Sequence, residues 1–167
     1  MNVRRADAAD LEAALAVHRA AFGRDEEADM AAAIVESGQF PPELSLVAVV
    51  DDRVAGHVIS SWVGLGGSDR RLLQLGPIGV LPQLQGQGIG SALVHASLDS
   101  TRALGEPLLL LEGNPAYYGR FGFVRADELG LLPPPEALYD WAFQVAVLDA
   151  AVELPCGRVV YPPTFAH

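Results

Sequence analysis

Gln85-Gly86-Gln87-Gly88-Ile89-Gly90 joins a strand-like run to a helical pattern, and the fold is decided by how this stretch is read. Closely spaced glycines let several backbone N–H groups converge, and a helix that follows adds its unpaired first amides and the positive end of its dipole. Such a loop cradles the oxygens of a phosphorylated ligand, but glycines also serve as plain turns, so the flanking segments matter. Downstream, Ile89, Ala92, Leu93, Ala96, Ala103 and Leu104 recur at helical spacing until Gly105, and Pro107 to Leu111 reads as a short buried strand. Upstream, Leu72 to Val80 reads as a strand, so strand, loop, helix and strand make a βαβ unit with a parallel pairing. The dinucleotide fingerprint is incomplete, because Ser91 stands where its third glycine belongs. A nucleoside triphosphate loop is excluded, because no Gly-Lys-Ser/Thr follows the glycines.

Working outward, Leu44 to Val50 and Val54 to Trp62 are apolar, β-branched runs joined by Asp51-Asp52-Arg53, which predicts an antiparallel hairpin. Gly64 to Asp69 reads as a second turn, leading into the strand that ends at Val80 and completing a three-stranded meander. Gly76-Pro77 interrupts that third strand, since proline donates no ladder hydrogen bond. The strand is expected to be distorted there, either as a broken edge strand or as a bulge that offers backbone groups to a ligand. Toward the N-terminus, Asp7 and Asp10 precede a helix ending at Gly23, and a second runs from about Glu26 to Ser37. Asn114 to Arg120 predicts a short helix, Leu129 to Pro135 a proline-rich loop, and Trp141 to Leu148 a last strand.

The chain has 167 residues, half of them apolar, enough for one sizeable core and one domain spanning 1–167. No apolar run reaches the roughly 20 residues that a membrane span needs, and Met1-Asn2-Val3-Arg4-Arg5 leads into polar sequence, so a cytoplasmic protein without membrane attachment is expected. A net charge of −10 opposes nonspecific attraction to nucleic acid. Cys156 stands alone, which rules out an intrachain disulfide, and no Cys/His spacing suggests a metal site.

With Val80-Leu81-Pro82-Gln83-Leu84 before it, the loop resembles the acyl-CoA signature Q/R-x-x-G-x-G/A of the GNAT acetyltransferase superfamily, with Gln85, Gly88 and Gly90 at its fixed positions. Asn114-Pro115-Ala116-Tyr117-Tyr118-Gly119-Arg120-Phe121-Gly122-Phe123 is similar to that family's later N-x-x-A-x-x-F-Y-x-x-x-G-F block, with small differences in spacing. The resemblance implies an α/β (α+β) fold with a mixed, mostly antiparallel central sheet, a βαβ acyl-CoA-binding unit and flanking helices, in the order strand, two helices, three antiparallel strands, helix, strand, helix and strands. It further implies acetyl-CoA as donor and an amine-bearing acceptor as partner, with no metal, and it leaves room for a homodimer.

For the site, the resemblance implies that Ile78, Gly79 and Val80 pair with the pantetheine arm. Amides of Gln85, Gly86, Gln87, Gly88, Ile89, Gly90 and Ser91 then hold the CoA pyrophosphate, with Asn114 and Arg120 as further CoA contacts. Tyr118 matches the tyrosine that protonates the departing thiolate, a transfer suited to a phenol with pKa about 10. Acetyl transfer to a primary amine of a small molecule or peptide needs no covalent enzyme intermediate, so a ternary complex and the positioning of both substrates would supply much of the acceleration. The general base is not assigned: the carboxylate that part of the family carries on the central strand has no counterpart between Leu72 and Val80, and Gln74 is no base. Glu26, Glu27 and His57 are the candidates on the acceptor side. A noncatalytic acyl-CoA binding module is the alternative reading, and a nucleotide-binding structural protein, which leaves Asn114 to Phe123 without a role, ranks last.

Overall fold

The computed structural model describes residues 1–165, so the last two positions of the expected 1–167 domain lie outside the described residues. They form two compact units, one of Met1–Ser61 with Leu75–Ser100, the other of Trp62–Gln74 with 101–165. The first holds strand β1 (Asn2–Arg5), helices α1 (Leu11–Phe22) and α2 (Glu26–Ser37), strand β2 (Ser45–Val50) and most of helix α3 (Ile89–Ala103). The long strands β3 (Arg53–Leu65) and β4 (Ser68–Val80) contribute residues to both. The second adds β5 (Leu108–Glu112), α4 (Pro115–Tyr118), β6 (Val124–Arg125), β7 (Leu131–Leu132), β8 (Phe143–Val147) and β9 (Gly157–Val160).

Local chemistry fixes both N-terminal helices. Asp7 accepts a hydrogen bond from the Ala9 N–H while Asp10 accepts one from the Asp7 N–H, a reciprocal cap on the 3-10 turn that leads into α1. Asp10 is clamped in turn by the Arg4 guanidinium at 2.7 and 3.0 Å, which holds its carboxyl below the usual carboxylate range. Gly23 and Gly38 close α1 and α2 in the left-handed conformation, at φ 67° and 68°. The two helices pack together, burying Ala14, Leu15, Val17 and His18 from one and Ala28, Ala31 and Ile34 from the other.

The strands follow the order β1-β2-β3-β4-β5-β8-β6, with β9 beside β3 and β7 beside β9. Pairing is antiparallel between β1 and β2, β2 and β3, β5 and β8, β6 and β8, and β3 and β9. It is parallel between β4 and β5, where Gln74 faces Leu110, and between β7 and β9. Asp51 and Asp52 take φ of 48° and 60°, so the β2–β3 connection is the two-residue turn whose twist matches the strands it joins. Leu108 to Leu111 are all buried, the continuous apolar run expected of a strand covered on both faces.

The βαβ unit, the meander and the ends of α1 and α2 stand as the sequence predicts. Five details differ. The second turn is tighter than Gly64 to Asp69, because β3 continues to Leu65 and β4 starts at Ser68, leaving Gly66-Gly67 between them. Gly76-Pro77 does not lie on an edge strand, since β4 has β3 and β5 as neighbours; the distortion is in the backbone, with Gly76 at φ 139° and a cis bond to Pro77. The segment 129–135 contains β7, and the strand expected from Trp141 begins only at Phe143, after a 3-10 turn. That strand is not the last, because Gly157–Val160 forms β9; runs of two and four residues are too short to show a periodic pattern.

Candidate active site

In the first unit, β4 ends at Val80 and a 3-10 turn over Pro82–Leu84 carries the chain into the glycine loop. The Gln85 side-chain amide donates to the Val80 carbonyl at 3.0 Å and that of Gln87 to the Gln83 carbonyl at 3.5 Å, tying the loop to the end of the strand and to the turn between them. Gly86 and Gly88 adopt φ of 75° and 87°, and a β-carbon at either would meet no atom within 4 Å. Glycine is therefore required by the backbone conformation, and the space beside both residues is open to a ligand. The Ala92 N–H donates to the Gly88 carbonyl, which places the amides of the loop and of Ile89, Gly90 and Ser91 at the start of α3, where helix geometry leaves donors unpaired. Buried Ile89 anchors the helix start, while 85–88 are exposed. Gly56 on β3 completes the support, since a β-carbon there would come within 2.9 Å of Leu93 and 3.1 Å of Ile89.

Gly79 on β4 has a different reason to lack a side chain. A β-carbon there would sit 2.9 Å from Nδ1 of His18, whose imidazole lies against the strand. Ile78 and Val80, on either side, are half-buried. His18 is closed off from solvent and its Nε2 lies 2.8 Å from Nδ1 of His57, whose own Nε2 lies 3.1 Å from the Ser45 hydroxyl. Burial pushes His18 down to about 4, against the pull of Glu27; burial and the neighbouring His18 push His57 down to about 3, against Asp10. Ser45 and His57 also line a cavity of about 520 Å³ bordered by Asp7, Asp10, Leu11 and Phe40.

The sequence candidates for a base fare differently. Glu27 accepts from the Arg24 guanidinium at 2.9 Å, which holds its carboxyl below the usual range, and Glu26 lies 3.7 Å from the same arginine. Both are committed to a surface ion pair. Among the described residues His57 hydrogen-bonds with Ser45 and His18, and His18 was not singled out from the sequence: it sits at a core position of α1, which periodicity fills with any apolar residue.

In the second unit, Asn114 accepts from the Ala116 N–H at 3.0 Å and caps α4. Tyr118 lies against the backbone of Gly113, where a β-carbon would collide with ring atoms Cδ2 and Cε2, and its ring meets Tyr117 and Phe123 edge-on. Burial, with Tyr117 beside it, pushes the phenol up to about 12, above the value its proton-donor role assumed. Arg120 donates to the Tyr117 carbonyl and stacks over that ring at 4.7 Å, so its guanidinium is held in place without an acid partner in those contacts. A second cavity, of about 480 Å³, borders Asn114, Glu112 and the stacked pair Tyr139 and Trp141. Gln74 donates to the Tyr161 hydroxyl at 2.7 Å, an interaction invisible in sequence across 87 positions.

The fold is shared with known proteins. A family model described as an acetyltransferase (GNAT) domain matches residues 2–126. The chain belongs to the GNAT acetyltransferase family. It is 36% identical over 164 residues to the N-acetyltransferase YhbS of Escherichia coli K12, covering 95% of this chain and 93% of that one. It is 32% identical over 121 residues to the N-acetyltransferase YjhQ of the same organism, covering 71% of this chain and 65% of the relative's length. The crystal structure of Escherichia coli YhbS in complex with CoA superposes with a TM-score of 0.90 at 32% identity, over 99% of this chain and 92% of that one. That of a GNAT family acetyltransferase from Brucella melitensis in complex with acetyl-CoA gives 0.81 at 30% identity, over 98% and 97%. GNAT membership accounts for the mixed, mostly antiparallel sheet with flanking helices and makes the chain an acyltransferase.

Proposed function

We propose that this GNAT protein transfers an acetyl group from acetyl-CoA directly to a primary amine of a small molecule or peptide, through a ternary complex. The observation that carries the reading is the loop 85–90, where two glycines in the left-handed conformation open their backbone onto the start of α3. Converging amides at the positive end of a helix suit a pyrophosphate despite the chain's net charge of −10, because the seat is built of local dipoles. CoA and acetyl-CoA in the two similar structures support the same ligand here.

In this reading the amides of Gln85 to Ser91 hold the pyrophosphate, the strand at Ile78, Gly79 and Val80 lies along the pantetheine arm, and Asn114 and Arg120 contact CoA. When bound, the donor supplies an activated thioester and a thiolate leaving group. An N–H near Ile78 and Gly79 stabilises the negative charge that develops on the carbonyl oxygen. Tyr118, a neutral phenol at physiological pH that burial makes a still weaker acid, donates a hydrogen bond to the departing sulfur. At about 12 its phenol is a weaker acid than a thiol at about 8.5, so it steadies the thiolate more readily than it surrenders a proton. The family match spans residues of both compact units, which supports one functional domain across the chain.

The test is release of CoA thiol from acetyl-CoA across a panel of primary amines, with calorimetry of CoA binding alongside. Amine-dependent thiol release supports the reading; CoA binding with no thiol release for any amine would reduce the protein to an acyl-CoA binding module.

A further inference from the structure

We infer that His18 is the acid–base group of the transfer, its Nδ1 taking a proton from the attacking amine and returning one to the departing thiolate, with His57 and Ser45 as the relay behind it. The inference rests on the proposed function, which sets the reacting carbonyl, and with it the amine that attacks it, beside Ile78 and Gly79 of β4. Its geometry is independent of that reading. His18 Nδ1 is a fully buried nitrogen without a hydrogen-bond partner among the described residues, lying against Gly79, the residue whose missing side chain makes room for it. Behind it the contacts run in one line, 2.8 Å from His18 Nε2 to His57 Nδ1 and 3.1 Å from His57 Nε2 to Ser45 Oγ, ending at the wall of the 520 Å³ cavity.

The assignment requires one pair of tautomers, which the contacts accommodate. With a lone pair on His18 Nδ1, the neutral ring carries its hydrogen on Nε2 and donates to His57 Nδ1. His57 then carries its hydrogen on Nε2 and donates to Ser45. When Nδ1 takes the amine's proton, the Nε2–H bond of His18 breaks as His57 Nδ1–H forms, His57 Nε2–H breaks as Ser45 Oγ–H forms, and the original serine proton passes to solvent in the cavity. When the thiolate leaves, the shifts run backward: Nδ1 gives its proton to sulfur and Ser45 takes one from the cavity. Each atom regains its starting proton, and the net change is one proton moved from nitrogen to sulfur.

The relay answers a specific difficulty. A buried imidazole at this depth is a poor place to store a positive charge, and passing the proton on leaves both rings neutral at every resting point. Facing groups do not upset this. Asp10 faces His57 but is neutralised by Arg4, Glu27 faces His18 but is neutralised by Arg24, and Asp7 borders the cavity at the far end.

Nitrogen-15 NMR of the imidazoles in the wild-type protein from pH 5 to 8, together with steady-state kinetics of thiol release, tests the assignment. Expected are neutral His18 and His57, both protonated on Nε2. His18→Gln should lower kcat by about 100-fold, the lower end of general acid–base contributions, with the KM for acetyl-CoA within about twofold. Ser45→Ala should lower kcat about tenfold and reduce the wild-type solvent isotope effect, because the exit for the proton is lost. A His18 ring fixed with its hydrogen on Nδ1, an imidazole charged at neutral pH, or a folded His18→Gln protein with wild-type kcat would overturn the inference. Should His18→Gln fail to fold, the NMR measurement on the wild type decides. A wild-type protein that acetylates no amine overturns the proposed function itself, an outcome distinct from an active enzyme indifferent to His18.

Discussion

The glycine loop and the His18–His57–Ser45 chain lie in the same compact unit and are built in opposite ways. The loop is made of backbone: Gly86 and Gly88 contribute conformation and open space, and the helix start contributes unpaired amides. The buried chain is made of side chains that meet from α1, β2 and β3, across 39 and 12 sequence positions. A backbone seat is local in sequence and indifferent to pH over the physiological range. A side-chain relay is nonlocal and depends on keeping two rings neutral in the core.

That contrast breaks most sharply under acid. His18 and His57 have folded values of about 4 and 3 against an ordinary value of 6.5, so the unfolded chain binds more protons between those limits. Stability is therefore full above about pH 6.5 and falls as pH drops toward 4, with the slope of up to about 1.4 kcal/mol per pH unit for each histidine. Urea midpoints measured from pH 7.5 to 4 should show this fall, and a folded His57→Gln variant should show a shallower one. Equal slopes in both proteins would mean that the imidazoles are not held neutral by the fold.

Tyr118→Phe comes next in size. Loss of the hydrogen bond to the departing sulfur should lower kcat about tenfold to 100-fold while leaving acetyl-CoA affinity near wild type, and a kcat within twofold of wild type would remove Tyr118 from the chemistry. Gly88→Val addresses the other region: a branched residue at φ 87° strains the loop and crowds the open side, so calorimetry should record acetyl-CoA binding weakened by about tenfold or more in a protein that still unfolds cooperatively. Unchanged affinity would mean that the seat is elsewhere. The smallest effect belongs to Asp7→Ala, which removes the cap ahead of the helix that carries His18. Thermal denaturation should report a loss of about 1 kcal/mol, with acetyl-CoA affinity untouched.

Legibility in the sequence follows the same division. Gln85, Gly88 and Gly90 could be read because a loop that opens a helix carries its signal in consecutive residues, and α1 and α2 because their caps and glycine stops sit at their own ends. β7 and β9 escaped because their pairing with each other and with β3 is a tertiary fact imposed on runs of two and four residues. His18 escaped for a similar reason. On α1 it occupies a buried position beside Leu15 and Val17, and nothing within reach along the chain announces that its partner is on β3. Tyr118 was singled out by its motif, yet its raised phenol depends on burial, which the motif does not encode.

The two regions share one peptide link. Gly56 and His57 are consecutive on β3, and consecutive strand residues face opposite sides of a sheet. Gly56 leaves room for Ile89 and Leu93 of the helix that opens at the glycine loop, while His57 meets His18 of α1. Drift on α3 can be absorbed by α3, and drift on α1 by α1, but any slip of β3 by one residue exchanges the two faces and costs both at once. For anyone wishing to alter what this protein acetylates, β3 is the part to leave alone, and the surfaces free to vary are those that do not read its register.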